Sequence, residues 1–174
     1  HGMSIGSETD GGVRNVTVKN CTFENTENGL RIKSNPGKGG LVENISYSDI
    51  RMTNVDPAIT FTCFYMNNSA KDAGKPAAPK QKIKPSDAGK IPLYRDITIS
   101  NLTAVCERSA GVILGLPDNC ISNVVFENVK ISAKTGLAIH NAKGIRFKNS
   151  AISVKSGPAF TAENAEVEGL KNAD

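Results

Sequence analysis

Two cationic residues stand two positions apart on a predicted strand, where their types and spacing could do chemistry. Arg31 and Lys33 alternate with the apolar Leu30 and Ile32. Residues at i and i+2 of a strand point to the same side, so the two cations would share one outer surface. Such a pair forms an anion site, because an arginine can hold a carboxylate through two parallel hydrogen bonds. Two solvated surface charges would give the same sequence pattern.

The start of the sequence aligns with this strand. Residues 1–7, His-Gly-Met-Ser-Ile-Gly-Ser, match residues 28–34, Asn-Gly-Leu-Arg-Ile-Lys-Ser, in their apolar positions. The alignment places His1 one coil above the start of the second segment, near the two cations. A histidine there could handle a proton or orient a substrate at neutral or mildly acidic pH. An ordinary terminal residue is the alternative.

Other reactive side chains are assigned structural roles. Glu8 and Asp10 are the carboxylates closest in sequence to the histidine, and a turn role is favoured over a catalytic one. His140 falls in the column of Lys33 but three coils further on, roughly 14 Å away at about 4.8 Å per coil. Cys21 occupies a column of mostly apolar residues, which favours a buried thiol over a nucleophile.

Five repeated segments would position these residues. They begin at residues 13, 42, 94, 121 and 142, so successive starts differ by 29, 52, 27 and 21 positions. Apolar and polar residues alternate within each segment, which is strand periodicity. Asn, Asp or Gly occupies the third column, and Asn or Asp the eighth, so each unit is predicted to run strand, corner, strand. A second short strand is predicted after each unit, at 30–34, 59–63, 112–114, 137–140 and 159–162.

This repeat predicts an all-β, right-handed parallel β-helix, in which equivalent residues of successive coils stack in columns. The columns act as an internal control, and only the first complete coil places two cations on this surface. The equivalents of Arg31 and Lys33 in later coils are predicted to be Thr60 and Thr62, Ile113 and Gly115, Ala138 and His140, and Ala159 and Thr161. The chain opens inside a motif, so we expect a β-helix truncated at its N-terminal side.

Composition excludes several classes of protein. The 174 residues suit a single domain, 1–174, and with 39% hydrophobic and 22% charged residues they fit neither a disordered tail nor a membrane protein. The net charge of +4 equals the local excess of a Lys-rich and Pro-rich insertion at about 66–93, so the remainder is neutral, unlike a nucleic-acid-binding domain. The four cysteines show no CxxC spacing, which disfavours a zinc ribbon, and their pairing stays open.

The insertion is far longer than an ordinary connection between strands. It is either a solvated loop or a segment that closes over a groove. If it blocked one end of a groove, cleavage from chain ends would be favoured over internal cleavage.

The motifs together resemble those of glycoside hydrolase family 28, which contains polygalacturonases and related pectin hydrolases on a right-handed parallel β-helix. His1 and Gly2 resemble the end of its Gly-His-Gly motif, and Arg31-Ile32-Lys33 is identical to its Arg-Ile-Lys motif. Tyr65 lies where the family tyrosine would fall. The similarity runs through the repeats to about residue 130.

The resemblance implies inverting hydrolysis of α-1,4 bonds in galacturonan, with one aspartate as general acid and others activating a water. It implies that His1 tunes the acid or holds the site, that Arg31 and Lys33 bind the uronate carboxylate, and that Tyr65 contacts the sugar. The implied partner is an acidic polysaccharide, with no cofactor, metal, nucleic acid or membrane. A full-length monomer in an extracellular or periplasmic location is expected.

The sequence departs from the family pattern in one respect. The Asn-Thr-Asp and Asp-Asp motifs are absent, and we expect them upstream of His1. This chain would then carry the substrate-binding half of the site, and the 174 residues alone are predicted to be inactive. The alternatives are an adhesin-like β-solenoid that binds acidic polysaccharide without catalysis, and a pectate lyase-like β-helix. The lyase would need a calcium site of clustered carboxylates, which the sequence does not show.

Overall fold

A computed structural model describes residues 1–65, 84–118 and 121–170 of the chain. Apart from one 3-10 turn at Pro85–Asp87, the regular structure of these residues is entirely β. The strands are β1 (Met3–Ile5), β2 (Val13–Glu24), β3 (Leu30–Lys33), β4 (Leu41–Thr53), β5 (Ile59–Thr62), β6 (Leu93–Val105), β7 (Ser109–Leu114), β8 (Ile121–Ala133), β9 (Thr135–Lys148), β10 (Ala151–Val154) and β11 (Phe160–Glu168).

All strand pairs are parallel and join coils that follow one another along the chain. One ladder runs β1-β3-β5-β7-β9-β11, and the other runs β2-β4-β6-β8, which β9 and β10 extend. The long strand β9 belongs to both ladders, because its first half pairs with β7 and its second half pairs with β8. The chain therefore winds as a right-handed parallel β-helix, and the predicted fold class is confirmed.

The corners predicted from the Asn and Asp columns are present. Every residue of the third and eighth columns has a positive φ, as the short polar side chains of Asn and Asp and the absent side chain of Gly permit. The side chains also form hydrogen-bonded ladders along the stack: Asn128 donates to Asn101 at 3.2 Å, and Asn101 donates to Asp49 at 3.0 Å. These residues are Asn15, Asn44, Asp96, Asn123, Gly144, Asn20, Asp49, Asn101, Asn128 and Asn149.

The register of the repeats agrees with the sequence alignment. Val13 pairs with Val42, Ile45 with Ile97, and Val124 with Ile145. The inward side chains of the middle coils are fully buried and form one continuous core, which includes the stacked rings of Phe126 and Phe147 at 4.5 Å between centroids. The core thus fixes which face of each short strand turns outward.

Most of the predicted insertion, residues 66–83, lies outside the described residues, as do Cys120 and the hypothesis of a segment closing over a groove. The end of the insertion is described from residue 84 onward. Gly37 and Gly39 both donate backbone hydrogen bonds to the carbonyl of Lys90, at 2.9 and 3.1 Å. Lys90 also forms an ion pair with Asp10 at 3.3 Å. These contacts attach the returning chain to the turns beside β1 and β3.

Candidate functional site

Strand β1 places His1 beside β3. Met3 pairs with Leu30 and Ile5 with Ile32, which confirms the register predicted from the sequence. The backbone N–H of Gly2 donates to the carbonyl of Asn28 at 2.7 Å. His1 is therefore held one coil above Asn28, with its side chain exposed on the outer surface.

Strand β3 sorts its residues by face. Leu30 and Ile32 are completely buried in the core, whereas Arg31 and Lys33 are half-buried on the outer side. Arg31 reaches His1, and its Nη1 lies 2.7 Å from the imidazole Nε2. The turn after β1 passes close to Lys33, and Gly6 there has a φ of 99° with no room for a side chain against the Lys33 carbonyl.

Tyr65 completes the arrangement from the next coil. The buried Phe64 anchors the chain after β5, and the backbone N–H of Tyr65 donates to the carbonyl of Ser34 at 2.8 Å. The Tyr65 ring then lies under both cations. Lys33 Nζ is 4.0 Å from the ring centroid and Arg31 Cζ is 5.2 Å from it. A cation–π contact at an exposed position is worth about 0.5–1 kcal/mol.

The same cations change the acidity of the Tyr65 phenol. A hydrogen bond from Lys33 is the largest influence, and together with the charges of Lys33 and Arg31 it holds the pKa of Tyr65 below its ordinary value. The structure thus brings His1, Arg31, Lys33 and Tyr65 together, and we call these four residues the cation site. Their roles toward a substrate stay a prediction.

The cation site differs from three of the five other arginine positions, whereas Arg51 and Arg146 likewise enter no ion pair of the described residues. Arg14 and Arg95 both pair with Glu43, at 2.8 and 2.6 Å, and Arg108 pairs with Asp56. None of the ion pairs in residues 1–65, 84–118 and 121–170 uses Arg31 or Lys33. Their positive charges therefore have no carboxylate partner in this part of the chain.

The later coils of the same ladder confirm that the two cations are exceptional, although some predicted equivalents are wrong. In the third coil Val112 and Leu114 take the outward positions, rather than Ile113 and Gly115. Ile113 is instead fully buried. The run Val-Ile-Leu has no polar residue to mark its outer face, so its sequence pattern could not set the register.

The fifth coil shows the same type of error. Thr161 pairs with Ala138 and Glu163 with His140, so the predicted equivalents Ala159 and Thr161 are displaced by two positions. Ala159 is buried, and its carbonyl accepts a hydrogen bond from Leu137 at 3.0 Å. Corrected in this way, the outward pairs after Arg31 and Lys33 are Thr60 and Thr62, Val112 and Leu114, Ala138 and His140, and Thr161 and Glu163.

The carboxylates near β1 are bound elsewhere. Glu8 accepts hydrogen bonds from Lys38 at 2.7 Å and from the Ser7 hydroxyl at 2.9 Å, and these lower its pKa to about 2. Asp10 pairs with Lys90. No hydrogen bond or ion pair in the described residues joins either carboxylate to His1, which agrees with the turn role that the sequence favours.

His140 and Cys21 stand apart from the cation site. His140 is in the Lys33 column, as predicted, but is buried and pairs through Nδ1 with Glu163 at 3.1 Å. Cys21 pairs with Ile50 and packs against the core. It is only half-buried, because β2 pairs with β4 on one edge and with no other described strand.

Two residues of the site carry no assigned role in the sequence analysis. Asn28 lies within hydrogen-bonding distance of His1, with its Nδ2 3.4 Å from Nδ1, and Thr60 donates to Asn28 at 2.9 Å. Both are polar and buried, at 6% and 9% exposure. The only sequence signal was the alignment of His1 over Asn28, because the burial of a polar residue depends on the packing around it.

Within the described ranges, no three His, Cys, Asp or Glu residues come together as a metal site would require. The same residues include no helix with the length and apolar character needed to cross a membrane.

Comparison with known proteins identifies the family. The sequence model of Glycosyl hydrolases family 28 matches residues 1–154. A polygalacturonase from Ralstonia nicotianae is 49% identical over 69 residues, which cover 37% of this chain and 13% of that protein. An endo-polygalacturonase from Pectobacterium carotovorum subsp. carotovorum is 32% identical over 143 residues, which cover 81% of this chain and 30% of the relative.

A third relative is the probable endopolygalacturonase D of Neosartorya fischeri, which is 35% identical over 140 residues, covering 78% of this chain and 27% of that protein. The chain thus spans less than a third of the length of these relatives. No solved structure matches the chain significantly. The fold, the register of the motifs and the family match over residues 1–154 agree, and the chain belongs to family 28 of the glycosyl hydrolases.

Proposed function

We propose that this protein hydrolyses α-1,4-galacturonosyl bonds of pectin or polygalacturonan with inversion, and that the chain supplies the substrate-binding half of the site. The observation that carries the proposal is the pair Arg31 and Lys33. The two residues stand on one face of one strand beside His1, with no carboxylate partner among the described residues. A galacturonate unit brings the missing carboxylate.

Arg31 is suited to this anion by its geometry. His1 uses Nη1 and Nε is enclosed, so the other Nη hydrogens are the donors that can address a carboxylate. Its Nε is enclosed without a hydrogen-bond partner in the described residues. An enclosed donor without a partner costs about 1–3 kcal/mol, and the described residues contain two more such atoms, Tyr47 Oη and His140 Nε2.

Lys33 and Tyr65 extend the site along the outer face. Lys33 adds a second charge two residues from Arg31, and the Tyr65 ring under both cations offsets part of their mutual repulsion through its π face. The Tyr65 hydroxyl can exchange hydrogen bonds with sugar hydroxyl groups.

The acid and base of the reaction are proposed to be aspartates outside the 174 residues. No carboxylate in the described residues bonds to the cation site. An inverting mechanism needs two carboxyl groups, one that protonates the leaving group and one that activates a water on the opposite face of the sugar. His1 would hold or tune the acid. Because pectin lies outside cells, we further propose an extracellular or periplasmic location.

The test is reducing-sugar release from polygalacturonate by the natural full-length protein and, separately, by the 174-residue chain. The full-length protein is expected to turn over the polymer and the separate chain is not. Turnover by the separate chain would contradict the proposed division of the site and would make Glu8 and Asp10 candidate catalytic residues. Binding of the polymer by the full-length protein without turnover would instead support the non-catalytic β-solenoid.

A further inference from the structure

The side chains of Asn28 and Thr60 form a buried polar pair directly beneath His1. Asn28 is 6% exposed and Thr60 is 9% exposed, whereas His1 is open to solvent. Asn28 Nδ2 lies 3.4 Å from His1 Nδ1, and Asn28 Oδ1 accepts a hydrogen bond from Thr60 Oγ1 at 2.9 Å. The backbone of Asn28 is held as well, because its carbonyl accepts from Gly2 and from the Thr26 hydroxyl. The amide is thus a fixed support under an exposed imidazole.

The contact with Arg31 determines where the His1 proton lies. A guanidinium group only donates hydrogen bonds, so the Arg31 Nη1 contact at 2.7 Å requires a lone pair on His1 Nε2. A neutral imidazole carries one proton, which must then be on Nδ1. A protonated imidazolium would instead turn an N–H toward the guanidinium cation.

The Nδ1–H group needs an acceptor, and Asn28 can offer one through its carbonyl oxygen. The two orientations of a carboxamide fill the same space and are chosen by their hydrogen bonds. The structure has the NH₂ group of Asn28 toward His1 and its Oδ1 toward Thr60, which leaves an Nδ1–H of His1 without an acceptor there. We infer that the amide takes the opposite orientation, with Oδ1 toward His1 and NH₂ toward Thr60 Oγ1, so that Asn28 and Thr60 hold His1 in one neutral tautomer with its Nε2 lone pair facing Arg31. Asn28 and Thr60 are positioning residues in this arrangement.

The arrangement has a consequence for the reaction. It fixes the orientation of the His1 imidazole relative to the Arg31 guanidinium. Arg31, which is proposed to bind the uronate, and His1, which is proposed to lie beside the acid, therefore keep one mutual geometry. The effect on turnover rests on the proposed function, but the tautomer itself does not. Loss of the support is expected to lower kcat roughly tenfold to a hundredfold, because misplacement of a positioned group by about 1 Å costs that much, with a smaller change in KM.

The experiment is a two-bond ¹H–¹⁵N correlation spectrum of the histidine rings in the natural full-length protein, with the His1 signals assigned by their loss in His1→Gln. We expect the Nδ1–H tautomer in the unmodified protein. In Asn28→Leu, which removes the acceptor, and in Thr60→Val, which removes the partner of the amide, the His1 signals are expected to shift toward a mixture of tautomers. Thr60→Ser keeps the hydroxyl group and is the matched control, with signals and kcat unchanged.

An Nε2–H tautomer in the unmodified protein would overturn the inference. So would His1 signals in Asn28→Leu and Thr60→Val that do not differ from those of the unmodified protein. If Asn28→Leu fails to fold, Thr60→Val decides the question, since it replaces the hydroxyl with a methyl group of similar size. A failure of the proposed function is distinguishable, because a protein that does not cleave polygalacturonate would still show its His1 tautomer in the spectrum.

Discussion

Strands β3 and β5 lie side by side in successive coils and differ on one face only. Their inward residues are alike, since Leu30 and Ile32 of β3 and Ile59 and Phe61 of β5 are all completely buried. Their outward residues differ in kind. The β3 strand carries two cations there, and β5 carries two threonines.

This difference separates what the fold requires from what the site requires. The inward residues are interchangeable apolar side chains that stack coil on coil, so they define the β-helix at every level. The outward residues do not enter the core, and nothing in the stacking demands a charge at Arg31 or Lys33. Because only one described level of this ladder carries two cations, we propose that the pair serves binding rather than stability.

The strongest test of this comparison is a change on the inward face. Phe61→Ala is expected to lower the free energy of unfolding by about 3–5 kcal/mol, because a large aromatic side chain leaves a cavity in a fully buried position. Denaturant unfolding of the natural full-length protein measures it. A loss below about 1 kcal/mol would show that the core of this coil is not what holds β5 in place.

The outward face should behave in the opposite way. Lys33→Met is expected to reduce kcat/KM on polygalacturonate about tenfold to a hundredfold, because a hydrogen bond to a charged group is worth about 1.5–3 kcal/mol. The free energy of unfolding should change by no more than about 1 kcal/mol, the value of the lost contact with the Tyr65 ring. The exposed Arg51 of β4 is a matched control, and Arg51→Gln should leave both quantities unchanged. Equal losses of activity in the two variants would contradict the comparison.

The three tyrosines offer a third test, through the ultraviolet signal of the phenolate. Burial raises the pKa of Tyr47 and Tyr94, whereas Lys33 and Arg31 lower the pKa of Tyr65, so Tyr65 should ionise first as the pH rises. The difference titration between the unmodified protein and Tyr65→Phe should show a phenolate forming below pH 10.0, the ordinary value.

Removing the neighbouring charge with Lys33→Met should move the Tyr65 titration toward higher pH, because the cation no longer favours the phenolate. An unmoved midpoint would mean that the Lys33 ammonium does not contact the phenol in solution.

The smallest expected effect concerns the carboxylates near β1. Glu8→Gln and Asp10→Asn should each change kcat by less than about twofold, because both carboxylates belong to exposed ion pairs, which contribute little. Initial-rate kinetics on polygalacturonate measures the change. A hundredfold loss in either variant would place a carboxylate of this chain in the reaction and contradict the proposed division of the site.

Most of the fold could be predicted from sequence because the repeat places the same residue types in the same columns. The corners at Asn15 and Asn20 followed from side chains that tolerate positive φ, and their spacing fixed the registers of the long strands. The prediction failed where that signal was missing. In the third coil the outward positions are Val112 and Leu114. The prediction missed them because three successive apolar residues show no alternation between polar and apolar positions.

The candidate site shows the same limit in a different form. His1, Arg31 and Lys33 could be grouped by register alone, since β1 pairs with β3. The environment of His1 could not be predicted in this way. Asn28 and Thr60 are buried by the packing of neighbouring coils, which the sequence does not show. The proposed direction of their hydrogen bonds depends on the N–H group that Arg31 directs at the imidazole.

The most direct measurement is the ratio of kcat/KM on polygalacturonate to kcat/KM on its methyl ester, compared between the natural full-length protein and the double variant Arg31→Gln, Lys33→Met. Esterification removes the charge of each carboxylate and leaves the sugar chain unchanged. We predict a strong preference of the unmodified protein for the acid form and its loss, by at least about tenfold, in the double variant. A preference that survives the double substitution would contradict the assignment of these two cations to the uronate.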